Sequence, residues 1–478
     1  MNITEGLSYD DILLLPAYSD VVPGDVALET KLTKNITLNV PVLSAAMDTV
    51  TEQEMAIALA LSGGAGVIHR NLSPKAQASQ IGHVKRFLNW VIENPVTVDK
   101  DETIEAVIQL TAKYNVSGLP VIDNGKLCGI ITSRDIRFCK SHDMKVKDVM
   151  TKDPIVEKGE PSIESAQEKF DSYKIEKLPV IDEEQKLTGL ITVKDMEKHQ
   201  KFPMAATDKR GRLIVGAAIS PMDYKKRIPL LEENHADFVV IDTAHGDTKS
   251  VIDAVKDIKA NYSIEVIAGN VATQAATKRL IEAGADAIKI GIGPGSICTT
   301  RIVAGIGVPQ FSAVLWSAQE AVKHGIPVIA DGGIKFSGDI VKAIAAGANA
   351  IMVGNLFAGI KEAPGREIIY DGRMFKQYRG MGSIGAIQQG SGDRYQMKKG
   401  EDPVPEGIEG RVPYKGELAP FLHQLMTGLR KGMAYCGCGT ITKMQTYQNF
   451  IKITGAGLRE SHAHDVSITQ EAPNYSRK

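Results

Sequence analysis

The residues best suited to do chemistry lie in one short segment that holds a single cysteine among glycines and polar side chains. It reads Gly291-Ile292-Gly293-Pro294-Gly295-Ser296-Ile297-Cys298-Thr299-Thr300-Arg301. Because glycine has no Cβ, such a segment turns tightly, and a thiol on that turn can be exposed as a covalent nucleophile. A structural cysteine buried beside a flexible loop is the alternative. The polar neighbours disfavour it, since a buried apolar thiol has little use for them.

The glycine spacing also bears on nucleotide binding. Gly291-x-Gly293-x-Gly295 is shorter than the GxGxxG turn of dinucleotide-binding folds and opens no long helix, so we reject a Rossmann interpretation. Phosphate recognition is indicated elsewhere, at Asp331-Gly332-Gly333-Ile334 and Gly354-Asn355. In barrel enzymes the loops after strands seven and eight often bind phosphate through backbone N–H groups.

Eight short apolar runs, each ending in small or polar residues, predict the elements that would position these segments. Continuous Val/Ile runs alternating with helical stretches are typical of parallel strands buried on both faces. They favour an α/β fold, a (β/α)8 TIM barrel with a segment inserted after the second unit. A doubly wound open sheet is the alternative. The runs cover residues 40–44, 66–69, 213–216, 238–242, 265–270, 287–291, 328–332 and 350–354.

The residues just past these runs are mostly polar or glycine. Barrel enzymes place their sites at the carboxyl ends of the strands, so we expect one shared site there. Loops simply beginning at strand ends would explain part of the pattern. The residues concerned are Ser44, Asp242, Asn270, 291–300, 331–333, Gly354 and Asn355.

The inserted segment contains an internal repeat. Residues 116–123 (VSGLPVID) recur as 175–182 (IEKLPVID), and 129–135 (GIITSRD) recur as 189–195 (GLITVKD). Each copy is predicted to form a strand, a helix, two strands and a second helix. The pair resembles tandem CBS domains, which often bind adenine or guanine nucleotides, although a purely structural role is an alternative. We therefore predict CBS domains at 93–138 and 144–199, and a catalytic barrel from 1–92 and 200–478.

Composition excludes several classes of protein. The 478 residues carry a formal net charge of −1, which does not favour nucleic-acid binding or a polybasic membrane patch. No signal peptide or membrane-spanning run is evident. The five cysteines are few and unevenly spaced, and Cys436-Gly437-Cys438 lacks the second pair of a typical metal site. A reduced cytoplasmic protein is the simplest expectation.

Residues 378–416 are polar and rich in glycine, which predicts either disorder or a mobile flap over the site. Arg394-Tyr395 lies near the middle of this segment. It could be an ordinary surface pair, or a proton-transferring dyad that acts only when the flap closes.

These motifs and the CBS-like insert resemble the bacterial inosine-5′-monophosphate (IMP) dehydrogenases, from residue 7 to residue 462. The resemblance implies that Cys298 attacks C2 of the IMP base, that hydride passes to NAD, and that a cysteine thioimidate is then hydrolysed. It implies that Thr300 lies beside the reacting carbon. Arg394, hydrogen-bonded to Tyr395, would activate water once the flap enters the site that NADH has left.

The resemblance also implies binding residues. IMP would be held by Ser44, Ser296, Asp331, Gly333, Gly354, Asn355, Tyr378, Met381, Gly382 and Glu406. NAD would contact Asp242, Thr243, Ala244, His245, Asn270, Gly291 and Gly293, with Tyr435 from a neighbouring subunit. A potassium ion (K⁺) would be held by carbonyls of Gly293, Gly295 and Cys298, plus Glu460, Ser461 and His462 of the next subunit. Oxygen ligands of this kind suit hard cations.

Several positions depart from the family pattern, namely Gly392, Gln396 and the run 247–250. They bear on flap closure and cofactor affinity more than on the reaction. Assembly as a homotetramer, with octamers possible, is also implied. Two alternatives stand beside the dehydrogenase. One is a GMP reductase, a family that lacks the Arg-Tyr dyad, and the other is a nucleotide-sensing scaffold without catalysis.

Overall fold

The computed structural model describes residues 3–114, 116–137, 139, 141–159, 161–395, 404–470, 472, 474 and 475. Within them the chain forms two compact units. One comprises residues 1–87, 204–208 and 213–478, and the other comprises 88–203 and 209–212. The five cysteines are all free thiols.

The larger unit is built on a closed barrel of eight parallel strands. Each strand pairs with the next along the chain, and Val215–Ile219 pairs with Ala65–Ile68 across the inserted segment. The eight apolar runs are therefore the eight barrel strands, which confirms the TIM-barrel prediction and excludes the open sheet. The strands are Val42–Ser44, Ala65–Ile68, Val215–Ile219, Phe238–Asp242, Glu265–Val271, Ala287–Ile290, Val328–Asp331 and Ala350–Val353.

Apolar side chains fill the barrel interior, where Leu43, Val67, Val240, Ile267 and Ile329 share one core cluster. β-branched residues suit such strands because both of their faces are covered. The helices that cover the outside are Gln53–Leu61, Pro74–Phe87, Tyr224–Glu233, Lys249–Asn261, Gln274–Glu282, Gln310–Ala321, Ser337–Ala345 and Leu418–Tyr435.

The last helix completes the ring by close packing against the seventh. A Cβ at Gly432 would lie 2.6 Å from Val341, and one at Gly428 would lie 2.2 Å from the Ser337 hydroxyl. Only glycine allows the two helix backbones to approach this closely.

The smaller unit contains two four-stranded sheets. The first copy of the repeat comprises strands Val98–Asp99, Gly118–Asp123 and Lys126–Thr132 with helices Ile104–Tyr114, Ser133–Ile136 and Val146–Val149. The second comprises strands Glu157–Lys158, Lys177–Ile181 and Leu187–Thr192 with helices Ile163–Tyr173 and Val193–Gln200. Both copies have the predicted order of strand, helix, two strands and helix, and the first copy has the additional helix Val146–Val149.

The two copies exchange strands. Val91–Glu93, which precedes the first copy, pairs with Leu187–Thr192 of the second. Thr151–Lys152, which precedes the second copy, pairs with Lys126–Thr132 of the first. The unit therefore begins at Leu88, earlier than residue 93, because Trp90 also packs into the core of the second copy.

The segment after barrel strand eight, predicted to be disordered or a mobile flap, contains regular secondary structure. Its antiparallel sheet consists of Glu367–Tyr370, Arg373–Arg379 and Glu409–Pro413, so both ends of residues 378–416 are strands. Between them lie the helical turns Ile384–Ala386, Ile387–Ser391 and Gly392–Tyr395. Residues 396–403, including Gln396, lie outside the described residues.

The ends of the chain pack on the barrel unit. Ile12–Leu14 pairs antiparallel with Phe450–Lys452, and Thr30–Lys31 pairs with Thr37–Leu38. The remaining short helices are Tyr9–Asp11, Pro23–Asp25, Thr300–Val303, Val322–His324, Asn355–Ala358, Ile441–Gln445 and Gly455–Glu460. Among the described residues, no helix combines the length and apolar character that a membrane span requires.

Candidate active site

A cavity opens at the carboxyl ends of the barrel strands, where the sequence predicted a shared site. Its walls bring together residues far apart in the chain, including Cys298 and Arg394. Of the residues predicted to form the site, the wall contains Asp242, Thr243, Ala244, Asn270, Gly291, Gly293, Gly295, Cys298, Thr300, Asp331, Tyr378, Met381, Gly382, Arg394 and Glu406.

The cysteine lies on a loop that glycine makes possible. Gly291 and Gly293 have φ of 146° and 82°, values that side chains with a Cβ rarely adopt. A Cβ at Gly291 would lie 2.2 Å from the Asp331 carbonyl oxygen. The loop closes where the Cys298 N–H donates to the Gly295 carbonyl at 3.1 Å. This leaves the Cys298 side chain partly exposed to the cavity.

A hydrogen-bonded chain connects the thiol to a carboxylate. The Cys298 Sγ donates to Thr300 Oγ1 at 3.1 Å, and that hydroxyl donates to Glu406 Oε2 at 2.7 Å. The backbone holds the partners in register, since the Thr299 N–H donates to the Glu406 carbonyl at 2.9 Å. A hydroxyl between a thiol and a carboxylate can carry a proton from one to the other.

A cluster of neutral hydrogen-bonding groups lies beside this chain. The Asn355 amide donates to Ser296 Oγ at 2.6 Å. Burial raises the pKa of Tyr378 to about 12, with Ser296 acting in the opposite direction. A Cβ at Gly354 would lie 3.1 Å from the Tyr378 hydroxyl, and Gly333 has φ of 79°. Hydroxyl, amide and phenol donors around such glycines match the needs of a phosphate.

A buried ionic network forms the floor of the cavity. The Lys289 ammonium donates to Asp242 Oδ1 at 3.0 Å and to Asp331 Oδ2 at 2.6 Å, and it also donates to the Asn270 side-chain oxygen. The Asn270 amide donates to the Gly291 carbonyl at 2.8 Å and to Asp331 Oδ2 at 2.9 Å. These bonds join strands four, five, six and seven.

Lys289 lines the cavity but is absent from the residues that the sequence predicted there. It lies in an apolar run of the sequence, yet its side chain is 1% exposed and pairs with two carboxylates predicted to bind ligands. The available signal was a lysine inside an otherwise apolar strand, Ala287–Ile290. Lysine is almost never fully buried unless it is paired.

Arg394 reaches the cavity from the helical turns that precede residue 396. Its guanidinium forms an ion pair with Asp242, and its carbonyl accepts a hydrogen bond from Ala244 N–H at 3.4 Å. The segment carrying Arg394 thus lies against residues predicted to bind NAD. Tyr395 ends the last turn, but its side chain lies outside the described residues.

A buried ion pair anchors this segment to the loop after barrel strand one. Arg379 binds both oxygens of Asp48, at 3.1 and 2.7 Å, and also donates to Gln389 Oε1 at 2.5 Å. The Asn71 amide donates to Asp48 at 2.8 Å and to the Ala386 carbonyl at 3.4 Å. Sequence reasoning did not identify this anchor, because its members are distant in the chain.

Several predicted residues do not line the cavity. Ser44 is fully buried behind the wall and accepts from the Thr51 hydroxyl at 2.8 Å. Ser296, Gly333, Gly354 and Asn355 lie next to the wall residues described above. His245 is exposed and Tyr435 is 70% exposed.

Glu460 ends the helix Gly455–Glu460, and Ser461 and His462 follow it. In this chain the three residues do not line the cavity. His462 contacts Tyr475, with 3.1 Å between its Nδ1 and the phenol oxygen. Its ring lies 6.0 Å from that of Phe336.

Two of the sequence departures, the run 247–250 and Gly392, lie among the described residues. Asp247 accepts two hydrogen bonds from Arg279, which holds the pKa of Asp247 below its usual value, and Thr248 caps the helix Lys249–Asn261. A Cβ at Gly392 would lie 3.6 Å from Ile387, an ordinary contact, so the position has room for a larger residue.

Comparison with known proteins bears on the chemistry of this site. A family model described as IMP dehydrogenase / GMP reductase domain matches residues 6–464. The inosine-5′-monophosphate dehydrogenases of Halalkalibacterium halodurans and Aquifex aeolicus are 54% and 55% identical to this chain, each over 99% of the chain and 98% of the relative. A solved GMP reductase from Trypanosoma brucei, in complex with guanosine 5′-monophosphate, is 41% identical with a TM-score of 0.82. That alignment covers 97% of this chain and 99% of the reductase.

Proposed function

The chain belongs to the IMP dehydrogenase / GMP reductase family, and on that premise we propose that it oxidises IMP to xanthosine 5′-monophosphate with NAD. Curated relatives that are more than half identical to this chain, over nearly their whole length, are named as inosine-5′-monophosphate dehydrogenases. The observation that carries the proposal is Arg394, paired with Asp242 in the same cavity as Cys298. The protein is thus an oxidoreductase of guanine nucleotide synthesis.

We propose that Cys298 is the nucleophile. Its sulfur would form a bond to C2 of the IMP base as the thiol gives up its proton, and C2 would give up its hydrogen as hydride, for which NAD would be the acceptor. A thioimidate would then link base and sulfur. Water would then add to C2 and the C–S bond would break. The water oxygen stays on C2, one hydrogen goes to the ring nitrogen and the other returns to the thiol. Covalent catalysis of this kind divides one difficult step into two easier ones.

Two groups in the cavity are placed to accept the proton of the attacking water. Thr300 bridges the Cys298 sulfur and the Glu406 carboxylate, so the proton that water releases as it attacks C2 would have a path to Glu406. Arg394 lines the same cavity and pairs there with Asp242. We assign the activation of water to Arg394 with Tyr395. They would act after hydride transfer, when the segment that carries them lies in the cavity.

The remaining assignments follow the chemistry of the neighbouring groups. The neutral cluster around Ser296, Asn355 and Tyr378 would hold the phosphate of IMP, and Asp331 would accept hydrogen bonds from the ribose hydroxyls. Ser44, which lies behind the wall, would support that pocket indirectly.

We propose that NAD lies against Asp242, Thr243, Ala244, Asn270, Gly291 and Gly293, with His245 at the exposed edge. The residues fit, because all of them except His245 line the same cavity and bring hydrogen-bonding side chains and backbone groups to it. NAD, when bound, supplies the hydride acceptor. Tyr435 of a neighbouring subunit would complete the site, which its 70% exposure allows.

We propose a potassium site on the cysteine loop, formed by carbonyls of Gly293, Gly295 and Cys298. The loop fits a cation of this kind, because its positive φ at Gly293 allows a tight turn of carbonyl groups. When bound, the ion would stabilise the loop that carries the nucleophile. Glu460, Ser461 and His462 would come from the next subunit of a homotetramer, which could pair into octamers.

The inserted unit is proposed to be a CBS pair that binds purine nucleotides. Its support is the sequence repeat and the two matching sheets. Five free cysteines support a cytoplasmic location, where thiols remain reduced.

GMP reductase is the second candidate, favoured by the 41% identity to the reductase from Trypanosoma brucei. One assay separates the two. Purified enzyme with IMP, NAD and potassium should form NADH, whereas GMP with NADPH should release no ammonia. Ammonia release without NADH formation from IMP would reverse the assignment. If the protein formed neither NADH nor ammonia, it would be a scaffold without catalysis.

A further inference from the structure

Lys289 uses all of its hydrogen-bonding capacity inside the barrel. An ammonium has three donors, and those of Lys289 go to Asp242, Asn270 and Asp331. The side chain is 1% exposed, so its partners are fixed by protein contacts rather than by solvent. Its position is therefore coupled to both carboxylates at once.

Asp242 and Asp331 each bind Lys289 through one carboxylate oxygen, and the other oxygen of each does not contact Lys289. Asp242 receives Lys289 on Oδ1 and Arg394 on Oδ2. Asp331 receives both Lys289 and the Asn270 amide on Oδ2. Asp331 lines the cavity and its side chain is 19% exposed, which leaves Oδ1 for a ligand.

We infer that Lys289 is a positioning residue that aims Asp331 at the ribose of IMP and Asp242 at Arg394. One buried cation would then connect the substrate pocket to the segment that brings Arg394 into the cavity. The inference rests on the proposed function, since it takes the ribose and Arg394 roles from there.

A purely structural role is the competing explanation, and the chain offers a matched control for it. Lys85 is 3% exposed and also lies between two carboxylates, Asp208 at 3.1 Å and Asp237 at 2.6 Å. These three residues do not belong to the cavity wall. Removing either lysine charge should destabilise the fold, but only the change at Lys289 should alter catalysis.

The experiment compares Lys289→Met with Lys85→Met by two readouts. The first is the Kd for IMP, measured by calorimetry without NAD. The second is the steady-state rate divided by the rate of the first NADH turnover, which reports hydrolysis relative to hydride transfer. Because hydrogen bonds to charged groups are worth about 1.5–3 kcal/mol, Lys289→Met should weaken IMP binding roughly tenfold or more. It should also lower the rate ratio by a similar factor.

Lys85→Met should leave both readouts within about twofold of wild type while lowering the melting temperature. If Lys289→Met does not fold, the double variant Lys289→Met/Asp242→Asn, which removes one charge of each sign, carries the test. It should still bind IMP roughly tenfold more weakly, whereas Asp242→Asn alone should not.

Normal IMP affinity and a normal rate ratio in the Lys289 variants would overturn the inference. Wild-type enzyme that forms no NADH from IMP would instead overturn the proposed function. The two failures are distinguishable, because IMP binding is measured without turnover.

Discussion

Arg394→Ala separates the two halves of the proposed reaction. In the structure the Arg394 side chain is 16% exposed and its guanidinium pairs with Asp242, which is 6% exposed. Truncation leaves one oxygen of Asp242 without that partner, while Lys289 still binds the other oxygen. In the proposed mechanism hydride transfer needs Cys298 and not Arg394, so the first step should survive.

The size of the effect follows from the burial of the pair. Removing one partner of a fully buried pair costs about 3–5 kcal/mol. Because Arg394 is partly exposed and Lys289 still pairs with Asp242, we expect the truncation to cost roughly 2–3 kcal/mol. That cost lowers the fraction of enzyme whose Arg394 segment lies in the cavity by about 30- to 150-fold. Loss of a general base removes a further factor of about 10²–10⁴ from hydrolysis.

Stopped-flow absorbance of NADH measures both steps. The variant should release about one NADH per active site at nearly the wild-type rate and then almost stop, as expected when only a later step fails. Arg373→Ala, at an exposed arginine of the neighbouring sheet, is the control and should turn over normally. A variant that loses the burst together with turnover would show that Arg394 serves binding or hydride transfer, and the role assigned here would be wrong.

Three further predictions concern the parts around this chemistry. Replacing residues 88–203 with a Gly/Ser linker should leave an active enzyme, because Lys85 and Asp208, near the two junctions, are bonded at 3.1 Å within the barrel unit. Any response of its activity to purine nucleotides should vanish, and inactive protein from several linker lengths would contradict this. Asp48→Asn should weaken the bidentate pair with Arg379 by roughly 1–3 kcal/mol and slow hydrolysis while sparing the burst. Equal loss of both phases would exclude an anchoring role. Exchanging potassium for lithium should lower kcat, and unchanged activity after exhaustive removal of potassium would argue against the proposed ion site.

The barrel could be predicted from sequence because its strands are buried on both faces. Apolar runs such as 238–242 and 350–354 coincide closely with strands Phe238–Asp242 and Ala350–Val353. Residues at the ends of these runs converge because parallel strands share one edge. The location of Cys298, Asp331 and Asn270 around one cavity follows from the same regularity.

Long-range pairings could not be predicted in this way. The Arg379–Asp48 ion pair joins residues more than 300 positions apart, and neither residue type is unusual in a loop. The role of Lys289 could not be predicted from its apolar run, because its partners belong to three other strands. Strand exchange between the repeat copies could not be predicted either, since short strands such as Thr151–Lys152 contain no apolar pattern.

The most direct test of the account is to look for the bond to Cys298. Arg394→Ala enzyme mixed with IMP and NAD, quenched in acid and digested, should yield a peptide containing Cys298 that carries the mass of the oxidised IMP adduct. Cys298→Ala should still bind IMP but should form neither adduct nor NADH. NADH production by Cys298→Ala at close to the wild-type rate, or an adduct on another cysteine, would contradict the central claim.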